Sequence, residues 1–182
     1  MKLKDDVLLD IEDLKQKSIE DINAQGLRVL ICAGTGCVAN GSLEIIDKFK
    51  ERGINVQPLG KNDKMTAIPT GCHGFCEQGV LVVIPELDVT YVKVKLDDVD
   101  EIIDSHIIGG NPVERLLYTD PATKNHVFKN EDIKFYAGQT RVSLANCGEI
   151  NPEAIEDTLS VDGYRALYNV LKQNDPDKVV DE

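Results

Sequence analysis

Apolar residues in the first part of the chain follow helical spacing in some segments and form short, strand-like runs in others. Residues three to four positions apart predict an amphipathic helix, and short runs rich in β-branched residues predict strands. A serine before a helical pattern predicts a capped helix start. The predicted elements are a helix around Val7 to Ile22, strands at 27–31, 54–59, 65–68, 80–84 and 90–94, a helix from Ser42 to Gly53, and a helix from Asp97 or Asp98 to Gly109.

The order of these elements predicts the fold class. The strands at 80–84 and 90–94 are joined by a short turn, which indicates an antiparallel hairpin. The helix from Ser42 is expected to bury Leu43, Ile46 and Phe49. Residues 1–110 therefore predict a small α/β sandwich with a mixed sheet.

The pattern changes after Gly110. Residues 111–140 are polar and have few periodic apolar positions, so they predict a linker or extended arm. Residues 141–182 predict a partial, mostly helical segment. Its elements are a short strand at 141–144, a helix that starts at Asn151-Pro152 with Ile155 and Leu159, and a helix at 163–172 with Leu167, Val170 and Leu171 inward. A further helix start at Asp175-Pro176 lies close to the last residue, which predicts an incomplete domain at 141–182.

Composition narrows the classes of function. The 182 residues are 42% hydrophobic and 29% charged, as in globular proteins, and no run of about 18 apolar residues is present. The net charge of -12 disfavours nucleic-acid partners, because an acidic surface repels phosphates. The N-terminus lacks an apolar stretch of the signal-peptide type. We therefore expect a cytoplasmic protein with no membrane insertion and no nucleic-acid partner.

Four of the five cysteines form two close pairs. Cys32 and Cys37 lie in a glycine-rich loop at 32–41, and Cys72 and Cys76 lie in a second such loop at 70–79. Four thiolates from two loops are able to hold a tetrahedral metal ion or an iron–sulfur cluster. Glycines let backbone N–H groups approach the sulfurs. The spacing leaves three options open: a cluster, a zinc site, or free structural thiols.

Other candidate residues have simpler interpretations. His73 lies between two of the cysteines, but with four thiols present we expect it to be a solvent-facing loop residue. Neither His106 nor His126 is assigned a role in catalysis, and Cys147 is expected to be a buried thiol near a turn. The glycine pattern around Gly34 is similar to a dinucleotide fingerprint, but it contains cysteines and lacks the acidic residue that would bind a ribose.

The cysteine spacing and three stretches of sequence carry a family resemblance. The cysteine spacing, together with Gly71-Cys72-His73-Gly74-Phe75-Cys76-Glu77-Gln78-Gly79 and His106-Ile107-Ile108-Gly109-Gly110, resembles the thioredoxin-like [2Fe-2S] ferredoxin domain. More narrowly, the chain resembles the N-terminal region of the NADH-binding flavoprotein (beta) subunit of multi-subunit, electron-bifurcating hydrogenases, which is similar to the flavoprotein subunit of complex I. The stretch Asn146-Cys147-Gly148-Glu149-Ile150-Asn151-Pro152-Glu153 resembles the opening of the flavin domain of that subunit.

The resemblance implies a thioredoxin-like domain at 1–110, a linker at 111–140 and the start of a flavoprotein domain at 141–182. It implies that Cys32, Cys37, Cys72 and Cys76 ligate a [2Fe-2S] cluster that relays single electrons. The implied partners are other subunits of an NADH-linked hydrogenase or dehydrogenase complex, and a homodimer is also allowed.

The same resemblance places FMN, NAD and a [4Fe-4S] cluster in the full-length parent subunit and not on this chain. We therefore expect a truncated flavoprotein subunit that is inactive alone as an NADH dehydrogenase. The alternative is a zinc-stabilised interaction module without redox function.

Overall fold

The computed structural model describes residues 11–53 and 64–181. The α-helices are α1 Ile11–Asn23, α2 Thr35–Ala39, α3 Ser42–Gly53, α4 Asp98–Glu101, α5 Lys134–Ala137, α6 Ile155–Ser160, α7 Arg165–Gln173 and α8 Pro176–Asp181. The strands are β1 Leu27–Cys32, β2 Met65–Thr70, β3 Val82–Ile84, β4 Val89–Tyr91, β5 Tyr118–Thr119 and β6 His126–Val127. Short 3-10 helices cover Cys76–Gln78, Pro85–Leu87, Glu114–Leu116 and Asn130–Asp132, and a π-helix covers Ile102–Ile108.

The chain divides into two compact units. The larger unit runs from Gln25 to Asn151 and contains the sheet, α2 to α5 and all five cysteines. The smaller unit combines the N-terminal segment up to Ala24 with the residues from Pro152 onward, so it contains α1, α6, α7 and α8.

A four-stranded sheet in the order β2-β1-β3-β4 organises the larger unit. Strand β1 pairs in parallel with β2, from Leu27↔Met65 to Cys32↔Thr70, and antiparallel with β3. Strands β3 and β4 form the predicted antiparallel hairpin. The mixed sheet confirms the predicted fold class. The predicted strand at 54–59 lies outside the described residues.

Central position in the sheet explains the near-continuous apolar sequence of β1. Five of its six residues are buried, because its neighbours on both edges leave little of the strand in contact with solvent. Helix α3 buries Ser42, Ile45, Ile46, Phe49 and Gly53 along one face. The prediction that Leu43 is buried is wrong, since Leu43 is 49% exposed. One residue turns a helix by about 100°, so Leu43 lies beside the face that begins at Ser42.

The helix predicted from Asp97 or Asp98 begins at Asp98 and continues as the π-helix to Ile108. Four apolar residues of this segment are fully buried in the core: Val99, Ile102, Ile103 and Ile107. The chain leaves the helix through Gly109 and then Gly110, whose φ of 73° is in the left-handed region that favours glycine.

The predicted arm after Gly110 is a series of short helices, turns and two-residue strands, and it packs on the core of the larger unit. Val113, Leu116, Leu117 and Ile133 are all buried in the main hydrophobic cluster. Leu117 forms a β-bridge with Tyr91, and β5 pairs with β6 in a small hairpin. The strand predicted at 141–144 is wrong: this stretch has no strand hydrogen bonds, and Val142 and Leu144 are exposed.

A buried polar pair joins β4 to the π-helix. The Tyr91 hydroxyl accepts a hydrogen bond from the Val113 backbone N–H at 3.1 Å and lies 2.7 Å from His106 Nδ1. Burial raises the pKa of Tyr91 and lowers the pKa of His106, so both groups are neutral near pH 7. The Tyr91 hydroxyl thus provides a hydrogen-bond partner for two other buried polar groups, His106 Nδ1 and the Val113 N–H.

We expect Tyr91→Phe to destabilise the larger unit, because the Val113 N–H and His106 Nδ1 lose their partner in a dry core. Leaving such groups unsatisfied costs about 1–3 kcal/mol, which lowers the melting temperature by about 2 °C or more. Anaerobic thermal unfolding measures the change. Tyr118→Phe, at a half-buried position of β5, is the matched control, and an equal effect of the two substitutions would contradict the role of the pair.

Ion pairs on the surface of the smaller unit connect α1 to the segment around α6 and α7. Lys15 Nζ lies 2.9 Å from Asp162 Oδ1, and Arg165 pairs with both Asp162 and Glu12. Helices α6 and α7 begin at Ile155 and Arg165, a few residues later than predicted. Leu167, Val170 and Leu171 were predicted to point inward but are exposed. No helix in the described ranges is long and apolar enough to cross a membrane.

Candidate metal centre

The four paired cysteines lie at one edge of the sheet. Cys32 is the last residue of β1, and Cys72 follows Thr70, the last residue of β2. Because β1 and β2 are parallel and Cys32 is in register with Thr70, the loops that follow both strands emerge side by side. Cys37 lies in α2, and Cys76 begins a 3-10 helix. Strand pairing therefore brings together cysteines that are 40 positions apart in the sequence.

Glycines allow the two cysteine loops to touch. A Cβ atom on Gly34 would lie 2.8 Å from Cys72 Cβ and 3.1 Å from Cys72 Sγ. A Cβ atom on Gly79 would lie 2.7 Å from Cys37 Sγ. At both positions a larger side chain would occupy space that the facing cysteine already fills. The predicted close approach of glycine backbone to the cysteines is present at these two positions, whereas Gly41 contacts Glu44 instead.

The sulfurs differ in their access to solvent. Cys32 and Cys37 are buried, whereas Cys72 and Cys76 are exposed, with their Sγ atoms 4.0 Å apart. No group of three or more His, Cys, Asp or Glu side chains within the described part of the chain is arranged to hold a single metal ion. The four thiols thus form one buried pair and one exposed pair at a common edge.

The thiol of Cys32 is the most acidic of those with a resolved shift. A hydrogen bond from the Cys37 side chain lowers the pKa of Cys32 against the opposing effect of burial. The backbone N–H groups of His73 and Gly34 add to the lowering, and together these effects bring the pKa to about 6. The bond to Cys32, burial and the negative charge of Cys32 raise the pKa of Cys37. The surroundings thus favour a thiolate at Cys32, and the charge of that thiolate disfavours a second one at Cys37.

Backbone N–H groups also donate to the sulfurs of Cys72 and Cys37. The Gly74 N–H donates to Cys72 Sγ at 3.3 Å and lowers the pKa of Cys72, although burial and the neighbouring sulfurs outweigh it and the net shift is upward. The backbone N–H of Leu81 lowers the pKa of Cys37 in the same way. Fixed N–H dipoles stabilise negative charge on sulfur, which is the interaction that tunes iron–sulfur centres.

His73 is not the solvent-facing residue that the sequence predicted. It is only 3% exposed, and its Nε2 atom lies 2.9 Å from Thr70 Oγ1. Its ring lies against Gly148, where a Cβ atom would come within 2.8 Å of Nδ1. Burial, followed by the charge of Arg141, lowers the pKa of His73 to about 4. His73 is therefore a neutral core residue that fixes the second cysteine loop.

Two further contributions to the loop come from residues that the sequence did not single out. Phe75 stacks on Phe135 with ring centroids 4.4 Å apart, and it also contacts Tyr118 and Tyr136. Arg141 donates to the His73 carbonyl oxygen at 2.7 Å.

Cys147 is partly buried at a turn, beside Gly71. His126 lies in β6 and is exposed.

Comparison with known proteins decides the family. Residues 19–106 match the family model for the thioredoxin-like [2Fe-2S] ferredoxin. The chain is 41% identical over 81 residues to a 2Fe-2S ferredoxin of Aquifex aeolicus, covering 44% of this chain and 71% of that protein. This chain belongs to the thioredoxin-like [2Fe-2S] ferredoxin family. A 2Fe-2S ferredoxin of Clostridium pasteurianum is 38% identical over 84 residues, or 44% of this chain and 76% of the relative.

A solved structure of the thioredoxin-like [2Fe-2S] ferredoxin from Aquifex aeolicus is also similar to this chain. It is 35% identical, with a TM-score of 0.45, and the match covers 51% of this chain and 90% of that one. Family membership confirms the predicted fold class, the predicted [2Fe-2S] cofactor and the predicted role as an iron–sulfur electron carrier.

Proposed function

We propose that Cys32, Cys37, Cys72 and Cys76 are the four ligands of the [2Fe-2S] cluster. The observation that carries this assignment is the meeting of the two cysteine loops, where Gly34 and Gly79 leave room for the facing cysteines only. Four thiolates are the donor set that [2Fe-2S] clusters take. The acidic thiol of Cys32 favours loading, since metal ligands must be deprotonated. Cys147, beside Gly71, is the cysteine outside this set.

When bound, the cluster supplies a centre that gains and loses one electron. The chain's own residues set the conditions for that exchange. Backbone N–H groups of Gly34, His73, Gly74 and Leu81 face the sulfurs and favour the more negative, reduced state. Burial of Cys32 and Cys37 keeps water from one side of the centre, and exposure of Cys72 and Cys76 gives a partner access to the other. The exposed pair is the proposed edge for electron entry and exit.

We further propose that the chain acts within an NADH-linked hydrogenase or dehydrogenase complex of the cytoplasm. Support comes from the resemblance of Asn146–Glu153 and of His106–Gly110 to the flavoprotein subunit. In this proposal residues 1–110 form the cluster domain, 111–140 connect it, and 141–182 begin the flavin domain. FMN, NAD and a [4Fe-4S] cluster belong to the parent subunit, and the partners are the other subunits of the complex or a second copy of the chain.

Anaerobic purification of the full chain tests the ligand and cofactor assignment. We expect a brown protein with two irons and two labile sulfides per chain and visible bands that dithionite bleaches. A colourless protein that contains zinc and no iron would instead establish the zinc-stabilised interaction module. An assay of NADH-dependent dye reduction on the same sample is expected to show no activity, and turnover with bound flavin would overturn the expectation that this chain is inactive alone.

A further inference from the structure

We propose that Arg141 raises the reduction potential of the cluster by polarising the peptide group that donates to Cys72. The inference rests on the proposed ligand role of Cys72. Arg141 lies outside residues 19–106, the stretch that matches the ferredoxin family model. The structure thus assigns part of the control of the cluster to the segment that follows the ferredoxin domain.

One peptide group links the arginine to the sulfur. An Arg141 Nη atom donates to the His73 carbonyl oxygen at 2.7 Å. The N–H on the other side of that same peptide bond belongs to Gly74, and it donates to Cys72 Sγ at 3.3 Å. A cation on the carbonyl oxygen draws electron density from the peptide and makes its N–H a stronger donor. The positive charge of Arg141 is therefore passed on to a ligand sulfur through two hydrogen bonds.

The surroundings of Arg141 favour this role. Its guanidinium lies over the Tyr136 ring, 4.8 Å from the centroid, and its side chain is half-buried. None of the ion pairs found among the described residues includes Arg141. Tyr136 also contacts Phe75 of the cysteine loop, which holds the guanidinium and the loop in one packed cluster.

The sign of the effect follows from the charge change on reduction. Reduction adds one negative charge to the centre, so a nearby cation and a stronger N–H donor stabilise the reduced state more than the oxidised state. Removing the charge should therefore lower the potential. A unit charge several ångströms away in a nearly water-like dielectric changes the equilibrium constant for reduction by about threefold. This factor corresponds to about 28 mV for a one-electron couple.

The test is a dye-mediated redox titration of the full chain, followed by electron paramagnetic resonance, for four variants. R141M removes the charge and the donors, and R141Q removes the charge but keeps an N–H donor. Both are expected to lower the equilibrium constant for reduction about threefold or more. R141K keeps the charge and is expected to stay closer to wild type than R141M and R141Q. R52Q removes a charge from the last turn of α3, where Arg52 binds Asp104, and is the matched control with no expected shift.

Iron content separates a failure of the Arg141 proposal from a failure of the proposed cysteine ligands. A wild-type potential in R141M or R141Q with two irons per chain would overturn the role of Arg141 and leave the proposed function intact. If R141M does not load, R141Q against R141K makes the same comparison, and equal potentials overturn the inference. A Cys72→Ala chain that retains its cluster would overturn the ligand assignment itself. A shift of R52Q equal to that of R141Q would show a general charge effect and would also overturn the inference.

Discussion

Replacing Cys37 by alanine is expected to abolish cluster assembly, with iron falling from two per chain to near zero after anaerobic reconstitution. Cys37 is 2% exposed, and its sulfur faces Gly79 and the thiol of Cys32. Alanine offers no donor atom, and no solvent molecule easily reaches this buried position to replace the thiolate. The three proposed ligands that remain, Cys32, Cys72 and Cys76, cannot complete a four-thiolate set. Iron and sulfide analysis and the visible spectrum give the readout.

Cys147→Ala is the matched control for this experiment. Cys147 is partly buried, lies beside Gly71 of the second loop and is assigned no ligand role. It should therefore retain two irons per chain and the wild-type spectrum. The ligand assignment is wrong if Cys147→Ala loses the cluster while Cys37→Ala keeps it.

Local patterns in the sequence are sufficient to predict the sheet and the cysteine loops. The apolar run of β1 and the serine at the start of α3 are local patterns, and the structure has both elements there. Helix α2 was not predicted because Thr35-Gly36-Cys37-Val38-Ala39 contains glycine and β-branched residues, which have low helix propensity. Backbone hydrogen bonds from Cys37 and Val38 to the Gly34 carbonyl form this short helix nevertheless.

Contacts between distant segments explain the errors of prediction. His73 was predicted to face solvent because four thiols already complete a ligand set, but Gly148, far along the chain, covers its ring. The hydrogen bond from Arg141 to His73 joins residues 68 positions apart. No pattern in the sequence around Gly148 or Arg141 indicates a contact with His73. The sequence therefore predicts the cysteines of the centre, whereas the residues that cover it are found only in the structure.

Gly34→Ala is expected to destabilise the cluster strongly, because the added Cβ would lie 2.8 Å from Cys72 Cβ and 3.2 Å from Cys72 Cα. The backbone of Gly34, with φ -64° and ψ 155°, is in a region that alanine adopts freely, so the effect is one of space alone. Relief requires the two cysteine loops to move apart. Overpacking of this kind costs about 1–3 kcal/mol, and it displaces one ligand pair from the other.

The rate of iron transfer to a chelator, followed by loss of visible absorbance, measures this effect. Gly36→Ala is the matched control in the same loop, since its Cβ would lie an ordinary 3.8 Å from Cys76 Sγ and alanine favours the helix α2 that contains it. We expect Gly34→Ala to lose iron at least about fivefold faster than wild type, since about 1 kcal/mol is the lower end of this cost and 1.4 kcal/mol corresponds to a factor of about ten. Gly36→Ala is expected to keep the wild-type rate. Equal rates in the two variants would mean that the close approach of Gly34 to Cys72 does not hold the ligand pairs together. The proposed fit of the cluster between the two loops would then be wrong, even if all four cysteines proved to be ligands.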